Sequence, residues 1–330
     1  MPRKKSLALL EQVRGKAHKS YSQAKKILAP NKYLNDQFDK LDKLTEAYID
    51  IERQIGDYYW SERTKRKDDI IDALRASTIE PYSNDKLYRA VGYKFSQDPL
   101  CTLGSIKVVG GRFNFGEFDE AIQSFHALYL ADSPQTALFE KYPDKSTYTQ
   151  EEVNALNLIS ISENERNKFY GLNITESYSN YRISIQLENI IDIRTDKSLQ
   201  KFLDVINDIP FPEYLNIELK KFGQSPRTSV QTIKQIRDTL YDVNWRLMPS
   251  FHNRPSNSQW FGHYCRLAGI QAIIYSSTKC SGYNLAVFPD NLQNSQNSYI
   301  KIADEIKYIS RNRREMHFKN YSEFKNCEKL

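Results

Sequence analysis

The feature that most constrains this chain is a change of hydrophobic period near residue 80. Upstream, Leu34, Phe38, Leu41, Leu44, Tyr48, Ile51, Ile55 and Tyr58 recur in steps of three and four, and Ile70, Ile71 and Leu74 extend the series. That spacing lines apolar side chains along one face of a helix, so residues 33–76 are predicted to be helical, with Gly56 a mild weak point. The charges between them alternate in sign, as on a solvated face. The stripe needs a partner: the rest of the chain, a short helix within 5–29, or a second copy. Pro81-Tyr82-Ser83-Asn84-Asp85 then breaks the pattern, and the domain boundary is drawn there, 1–80 against 81–330.

Beyond the break the period shortens. Ala127–Ala131, Tyr181–Leu187, Ile190–Ile193, Ala272–Tyr275 and Leu285–Phe288 are short, rich in β-branched or aromatic residues, and bounded by turn formers. Helices fall between them. Asp132 or Ser133 caps one that carries Thr136 to Lys141, with Pro134 in its first turn, and Ser256 to Leu267 forms another, stopped by Gly269. The prediction is an α+β chain: a mixed body preceded by an α-helical N-terminal region. Residues 145–180, polar and Asn-rich, and 196–255, with helical pieces at 199–206 and 230–240 and five prolines, read as insertions.

At 330 residues the chain has room for two domains. No apolar run approaches the roughly 20 residues that span a bilayer, and Leu7–Leu10 is too short for a signal-peptide core, so a cytoplasmic location is expected. The net charge of +6 is uneven. Residues 1–32 hold nine Lys or Arg against Glu11 alone, which makes that arm +8 and the remainder −2. Such an arm is a solvated tail or a contact for nucleic acid or an acidic partner. Cys101, Cys265, Cys280 and Cys327 have no C-x-x-C spacing, so reduced, mostly buried thiols are expected and zinc is not. His126 and His263 sit beside aromatic residues and read as packed.

The chemistry-bearing residues cluster at the edges of the apolar runs. Glu140 ends the apolar turn Ala137-Leu138-Phe139, a costly place for a carboxylate unless it is paired or faces a cleft. Arg89 follows Leu87-Tyr88, and Arg112 follows Gly110-Gly111 and precedes Phe113-Asn114; guanidinium forks match phosphate oxygens. Tyr129 lies in Ala127–Ala131 and offers a ring to stack. Ser276 and Ser277 follow Ile273-Ile274-Tyr275, and alternation sends one in and one out. Asn284 follows Gly282-Tyr283. No Walker-type loop, no G-x-G-x-x-G and no Ser–His–Asp arrangement is legible.

Taken together, Leu87–Ala90, Gly110–Asn114, Ala127–Ala131, Thr136–Glu140, Gly269–Ser277 and Gly282–Phe288 resemble the RES domain, named for an Arg, a Glu and a Ser that Arg89, Glu140 and Ser277 match. The resemblance covers roughly 81–145 and 183–290. Family members usually show Tyr, any residue, Ser where this chain has Tyr275-Ser276-Ser277; the basic residue two places later is Lys279 here instead of Arg. The resemblance implies a catalytic domain at 81–330 similar to the ADP-ribosyltransferase fold. It implies NAD as substrate rather than bound cofactor, with inorganic phosphate as a candidate co-substrate and no metal. It implies a toxin–antitoxin setting with a helix-turn-helix antitoxin. Glu140, Arg89 and Ser277 would be catalytic, and Arg112, Tyr129, Tyr88, Gly111, Asn114, Ser276 and Asn284 would bind substrate.

The residue types suit that chemistry. The nicotinamide of NAD leaves as a neutral ring, so the cleavage needs one anion beside the developing oxocarbenium ion instead of the usual two carboxylates. Glu140 supplies it, and Arg89 and Arg112 would hold the pyrophosphate. The expected activity is an NAD glycohydrolase or phosphorylase. A transferase that places ADP-ribose on a macromolecule is the alternative, and a nucleic-acid-binding protein using the basic arm is the alternative from another class. The N-terminal helix is a candidate homo-oligomer contact.

Overall fold

A computed structural model of the chain describes residues 32–79, 81–117, 122–141, 177–246, 248–249 and 253–326. They form two compact units, each built from separated stretches: residues up to 77 with 104–125 and 195–268, and 78–103 with 126–194 and the chain from 269 onward. The division crosses the linear boundary drawn at residue 80.

The first unit is mainly helical. The predicted 33–76 helix is two, α1 (Lys32–Lys65) and α2 (Lys67–Arg75), parted at Arg66, whose φ of −102° leaves the helical range. Ile51 and Ile55 bury their side chains against Leu215 and Leu219, with Tyr48, Tyr59, Phe211 and Phe222 around them. Ile70 and Leu74 of α2 are fully buried. Each such side chain contributes roughly 1.5–3 kcal/mol. Leu44 stays 55% exposed, and the side chains of Leu34, Phe38 and Leu41 lie outside the described residues.

Segment 196–255 belongs to the same helical unit. Its helix α4 (Lys197–Ile206) packs on α2 and α5 (Glu213–Lys221) on α1, giving the N-terminal stripe partners, and α6 (Ile233–Leu240) packs on α4. Thr232 and Ser256 close capping boxes with Gln235 and Gln259 at the starts of α6 and α7 (Asn257–Leu267), satisfying orphan N–H groups. A small hairpin, β2 (Gly110–Gly111) and β3 (Asn114–Phe115), belongs to this unit. The arm at 1–31 and most of the polar 145–180 stretch lie outside the described residues.

The second unit is an eight-stranded sheet in the order β10-β9-β5-β1-β4-β8-β7-β6. The strands are β1 (Tyr82–Gly92), β4 (Leu128–Ala131), β5 (Tyr178–Leu187), β6 (Ile190–Asp192), β7 (Ala272–Ser276), β8 (Tyr283–Val287), β9 (Tyr299–Ile302) and β10 (Glu315–His317). Only β6 and β7 run parallel. β1 was not expected: Pro81–Asp85 reads as a turn, yet the strand carries on through it with an irregularity between Asn84 and Leu87.

Alternation sorts each strand onto two faces. One is a continuous core of Leu87, Leu130, Ile183, Ile274, Leu285 and their neighbours. The other carries a row read directly from the register: Arg182 pairs with Tyr88, Tyr88 with Ala131, Ala131 with Asn284, and Asn284 with Tyr275. Helix α3 (Pro134–Lys141) lies against β1, β4 and β8. Ser133 caps it, its Oγ accepting from Thr136 N at 3.0 Å.

Deep in this unit Arg313 pairs with Asp98, both almost wholly buried. Arg313 also donates to Glu323 O and Asn326 O and lies over the Phe324 ring, tying the chain beyond β10 to the sheet. Cys101 is disulfide-bonded, which corrects the reading of four reduced thiols. Cys265 and Cys280 are free. Burial pushes the Cys265 thiol well up, so it is inert. Among the described residues no helix is long and apolar enough to cross a membrane.

Candidate functional site

Glu140 stands at the end of α3, with its side chain 30% exposed. Its Oε1 accepts two bonds, from Ser277 Oγ at 2.7 Å and from Asn284 Nδ2 at 2.9 Å. Lys279 Nζ donates to the Glu140 carbonyl at 3.0 Å and stands 4.0 Å from Oε2. Lys279 thus offers its charge to the carboxylate from the loop after β7, and its N–H donates to Ser277 Oγ at 3.2 Å. One carboxylate oxygen is capped by two neutral donors. The other meets only a distant ammonium among the described residues.

The loop between β7 and β8 has to approach α3 closely for this to form. Gly282 permits it: its φ is +145°, and a Cβ there would sit 2.7–2.9 Å from Thr136 Oγ1 and both carboxylate oxygens of Asp132. Asp132 Oδ2 in turn accepts from Tyr283 N at 3.1 Å, and the backbone bond from Asp132 N to Tyr283 O at 3.0 Å closes the pair.

The sheet separates the two serines. Ser276 pairs with Tyr283 on the core side, whereas Ser277, one residue past β7, turns its hydroxyl to Glu140. Tyr88, Tyr129 and Asn284 share the face away from the core; all but the buried Asn284 are half-buried. These residues and Glu140 are brought together by the sheet.

The two arginines are each held by backbone carbonyls. Arg89 shares its face with Leu87 and Val91, the core face. Its Nε donates to Pro99 O at 2.7 Å, Nη1 to Tyr129 O at 2.9 Å and Nη2 to Cys101 O at 3.0 Å. Burial pulls the guanidinium down to about 10, and the partly compensating charge is Asp98. Each guanidinium nitrogen donates to one backbone carbonyl, which holds the Arg89 side chain against the sheet. Arg112 Nη1 donates to Leu240 O at 3.0 Å and Asp242 O at 2.9 Å, and the guanidinium lies 5.8 Å from the Trp245 ring.

Asn114 is wholly buried. Its Oδ1 accepts from Gly111 N, and its Nδ2 donates to Ser105, Phe115 and Phe125 carbonyls. It fixes the hairpin and has nothing left for a ligand. Gly110 holds φ at +83°, and a Cβ would lie 2.5 Å from Asn114 O. The Gly-Gly-Arg-Phe-Asn string is thus, in this structure, a backbone device inside the helical unit.

Both discounted histidines are packed. His126 Nδ1 lies 3.0 Å from Thr102 Oγ1. His263 stacks on Phe115 at 4.9 Å, and burial, with Arg266 and Lys67 nearby, pulls it down to about 4. The helical unit also holds a cavity of about 690 Å³ whose described walls include Tyr59, Arg63, Trp260 and Tyr264. None of Glu140, Ser277, Asn284 or Arg89 lines it.

Comparison with known proteins follows this geometry. No curated protein matches the chain. A chain in the crystal structure of the M. tuberculosis MbcT–MbcA toxin–antitoxin complex is similar at 16% identity and a TM-score of 0.40, over 78% of this chain and 97% of that one. The model of the RES domain matches residues 86–308, about two thirds of the sequence and every strand from β4 to β9, and on that match the chain belongs to the RES domain family.

Proposed function

We propose that the chain is an NAD-cleaving toxin that breaks the nicotinamide–ribose bond and passes the ADP-ribosyl group to water or inorganic phosphate. Family membership supports the class of substrate. The observation that carries the chemistry is the divided carboxylate of Glu140, with Oε1 held by Ser277 and Asn284 and Oε2 open.

As the glycosidic bond breaks, its electron pair passes to the pyridinium nitrogen and nicotinamide leaves neutral, so no group has to protonate it. Positive charge grows on C1′ and the ring oxygen of the ribose. A fixed anion beside that charge lowers the barrier without reorganising. The two donors on Oε1 hold the carboxylate in one orientation. Oε2 faces the sugar and then takes the proton of an attacking water; with phosphate the acceptor oxygen is already anionic. Tyr88 and Tyr129 present rings from the same face and suit the ribose and base. Lys279, close to the carboxylate, moderates its charge and orients the helix end through the Glu140 carbonyl. An antitoxin that occupies this face would silence the site.

The test is purified protein with NAD alone, in buffer with and without phosphate, with products weighed by mass spectrometry. Nicotinamide with ADP-ribose, or with ADP-ribose-1″-phosphate when phosphate is present, is the expected result. Intact NAD after prolonged incubation, or release that needs an added macromolecule, would overturn it.

A further inference from the structure

The cavity of about 690 Å³ lies wholly within the helical unit, and none of the residues assigned to the reaction lines it. Its size falls within the roughly 300–1,000 Å³ of small-molecule sites. Two of its walls are built on the same helical spacing. Helix α1 contributes Tyr59, Trp60 and Arg63, and α7 contributes Asn257, Trp260 and Tyr264. Tyr59 and Arg63 are four residues apart, as are Trp260 and Tyr264, so each pair shares one face of its helix. Trp60 and Trp260 meet across the gap with ring centroids 5.9 Å apart, and Tyr264 stacks on Trp260 at 6.0 Å. The result is a broad aromatic lining that suits a flat apolar ring.

Arg63 brings a positive charge to this lining with no carboxylate to meet it among the described residues. Its Nη2 donates to the neutral Asn257 Oδ1 at 2.6 Å, and its guanidinium lies 5.4 Å from the centroid of the Tyr59 ring. That engages one of its five N–H donors. The other arginines of the cavity wall are paired: Arg227 Nη2 with Glu52 Oε1 and Arg254 Nε with Asp57 Oδ1, both at 2.6 Å. The remaining acids of the wall have other partners. Asp238 stands 3.3 Å from Lys234 Nζ, and Asp242 Oδ1 accepts from Asn244 N at 2.8 Å. Burial pulls the Arg63 guanidinium below its ordinary range, and only the Tyr264 and Tyr59 hydroxyls act against that pull. A half-buried cation without a counter-charge is an unfavourable arrangement that an anion relieves.

We propose that this cavity is a ligand site for a small planar aromatic monocarboxylate, its ring among Tyr59, Trp60, Trp260 and Tyr264 and its carboxylate on Arg63. A guanidinium edge matches two carboxylate oxygens with parallel N–H bonds. One unpaired cation balances the single charge of a carboxylate, whereas a phosphate monoester, at about −1.5 to −2, leaves charge over. The proposal concerns the helical unit alone and does not rest on the NAD reading.

The test is calorimetry on the full-length protein with indole-3-acetate and its neutral counterpart indole-3-acetamide. The acid should bind about tenfold or more tightly than the amide. Arg63→Gln should abolish that preference while leaving the affinity for the amide, and Arg63→Lys should keep part of it. Thr239→Phe, which fills the cavity from α6, should weaken both probes. Melting temperatures identify any variant that fails to fold, and the wild-type preference together with the folded variants then decides. Saturating ADP-ribose should leave the titration unchanged. Absence of binding by both probes, equal binding of acid and amide, a preference that survives in folded Arg63→Gln, undiminished binding in folded Thr239→Phe, or displacement by ADP-ribose would each overturn the proposal. NAD turnover is not read in this experiment, so its failure leaves the NAD reading standing, and the converse holds.

Discussion

The two faces of the sheet treat charge in opposite ways. On the core face Arg89 has its nitrogens engaged by the carbonyls of Pro99, Tyr129 and Cys101. On the other face Glu140 keeps one oxygen uncommitted while Ser277 and Asn284 hold its twin. Arg89 is held from three sides by backbone, whereas Glu140 is held at one oxygen by two side chains. A charged group whose partners are all backbone is part of the frame; a charged group with half of its partners fixed is aimed at something else.

The largest expected effect separates the two roles. Glu140→Gln keeps shape and both donors' neighbours but deletes the charge, and kcat for NAD should fall about 10²–10³-fold, roughly 3–4 kcal/mol, with the melting temperature unmoved. A Gln variant with wild-type turnover would end the distinction. Arg89→Lys should do the reverse. Lysine cannot reach three carbonyls, buried acceptors are stranded, and stability should drop by about 2–4 kcal/mol in denaturant titrations. Turnover per folded molecule should stay within a few fold; a large kcat loss in a fully folded Lys variant would return Arg89 to the substrate.

Burial alone, without a partner, gives a third outcome, and His263 tests it by pH. Its folded-state value is about 4 against 6.5 as a free side chain, and burial is the main cause. Between those values the unfolded chain binds the extra proton and the folded one does not, so stability is lost as pH falls from about 6.5 to about 4. This amounts to roughly 2–3 kcal/mol from this group. His263→Phe should flatten that part of the stability–pH curve; an unchanged slope would mean other groups set it. The smallest effect belongs to Ser277→Ala. It removes one of two donors on Oε1, and about a tenfold loss of turnover, near 1–1.5 kcal/mol, is expected with Asn284 still in place.

Much of this was readable in advance, and the parts that were not have identifiable causes. The strands β4, β5, β7 and β8 announce themselves as short apolar runs with β-branched or aromatic residues between turn formers. β1 hides because Ser83, Asn84 and Asp85 are turn formers, and only its pairing with β5 overrides them. The alternation Leu87-Tyr88-Arg89 already states that Tyr88 and Arg89 point oppositely, but a motif letter invites a site role before a face is chosen. Asn114 and Gly111 read as ligand contacts for the same reason; Asn114 Nδ2 donates to the Ser105 and Phe125 carbonyls and Gly111 N donates to Asn114 Oδ1, bonds that no local pattern reveals. Segment 196–255 reads as an insertion with helical pieces broken by prolines, because its apolar residues find their partners in α1, α2 and α7, remote in sequence.

The bond between Glu140 and Asn284 spans 144 residues of chain. During synthesis from the N-terminus at about 5–20 residues per second, Glu140 would leave the ribosome roughly 7–30 s before Asn284 exists. Through that interval β4 has no β8 to pair with, and the carboxylate has neither of its donors. Glu140 is therefore without Ser277 and Asn284 for most of the polypeptide's manufacture, and its two donors exist only once the chain through β8 has been made.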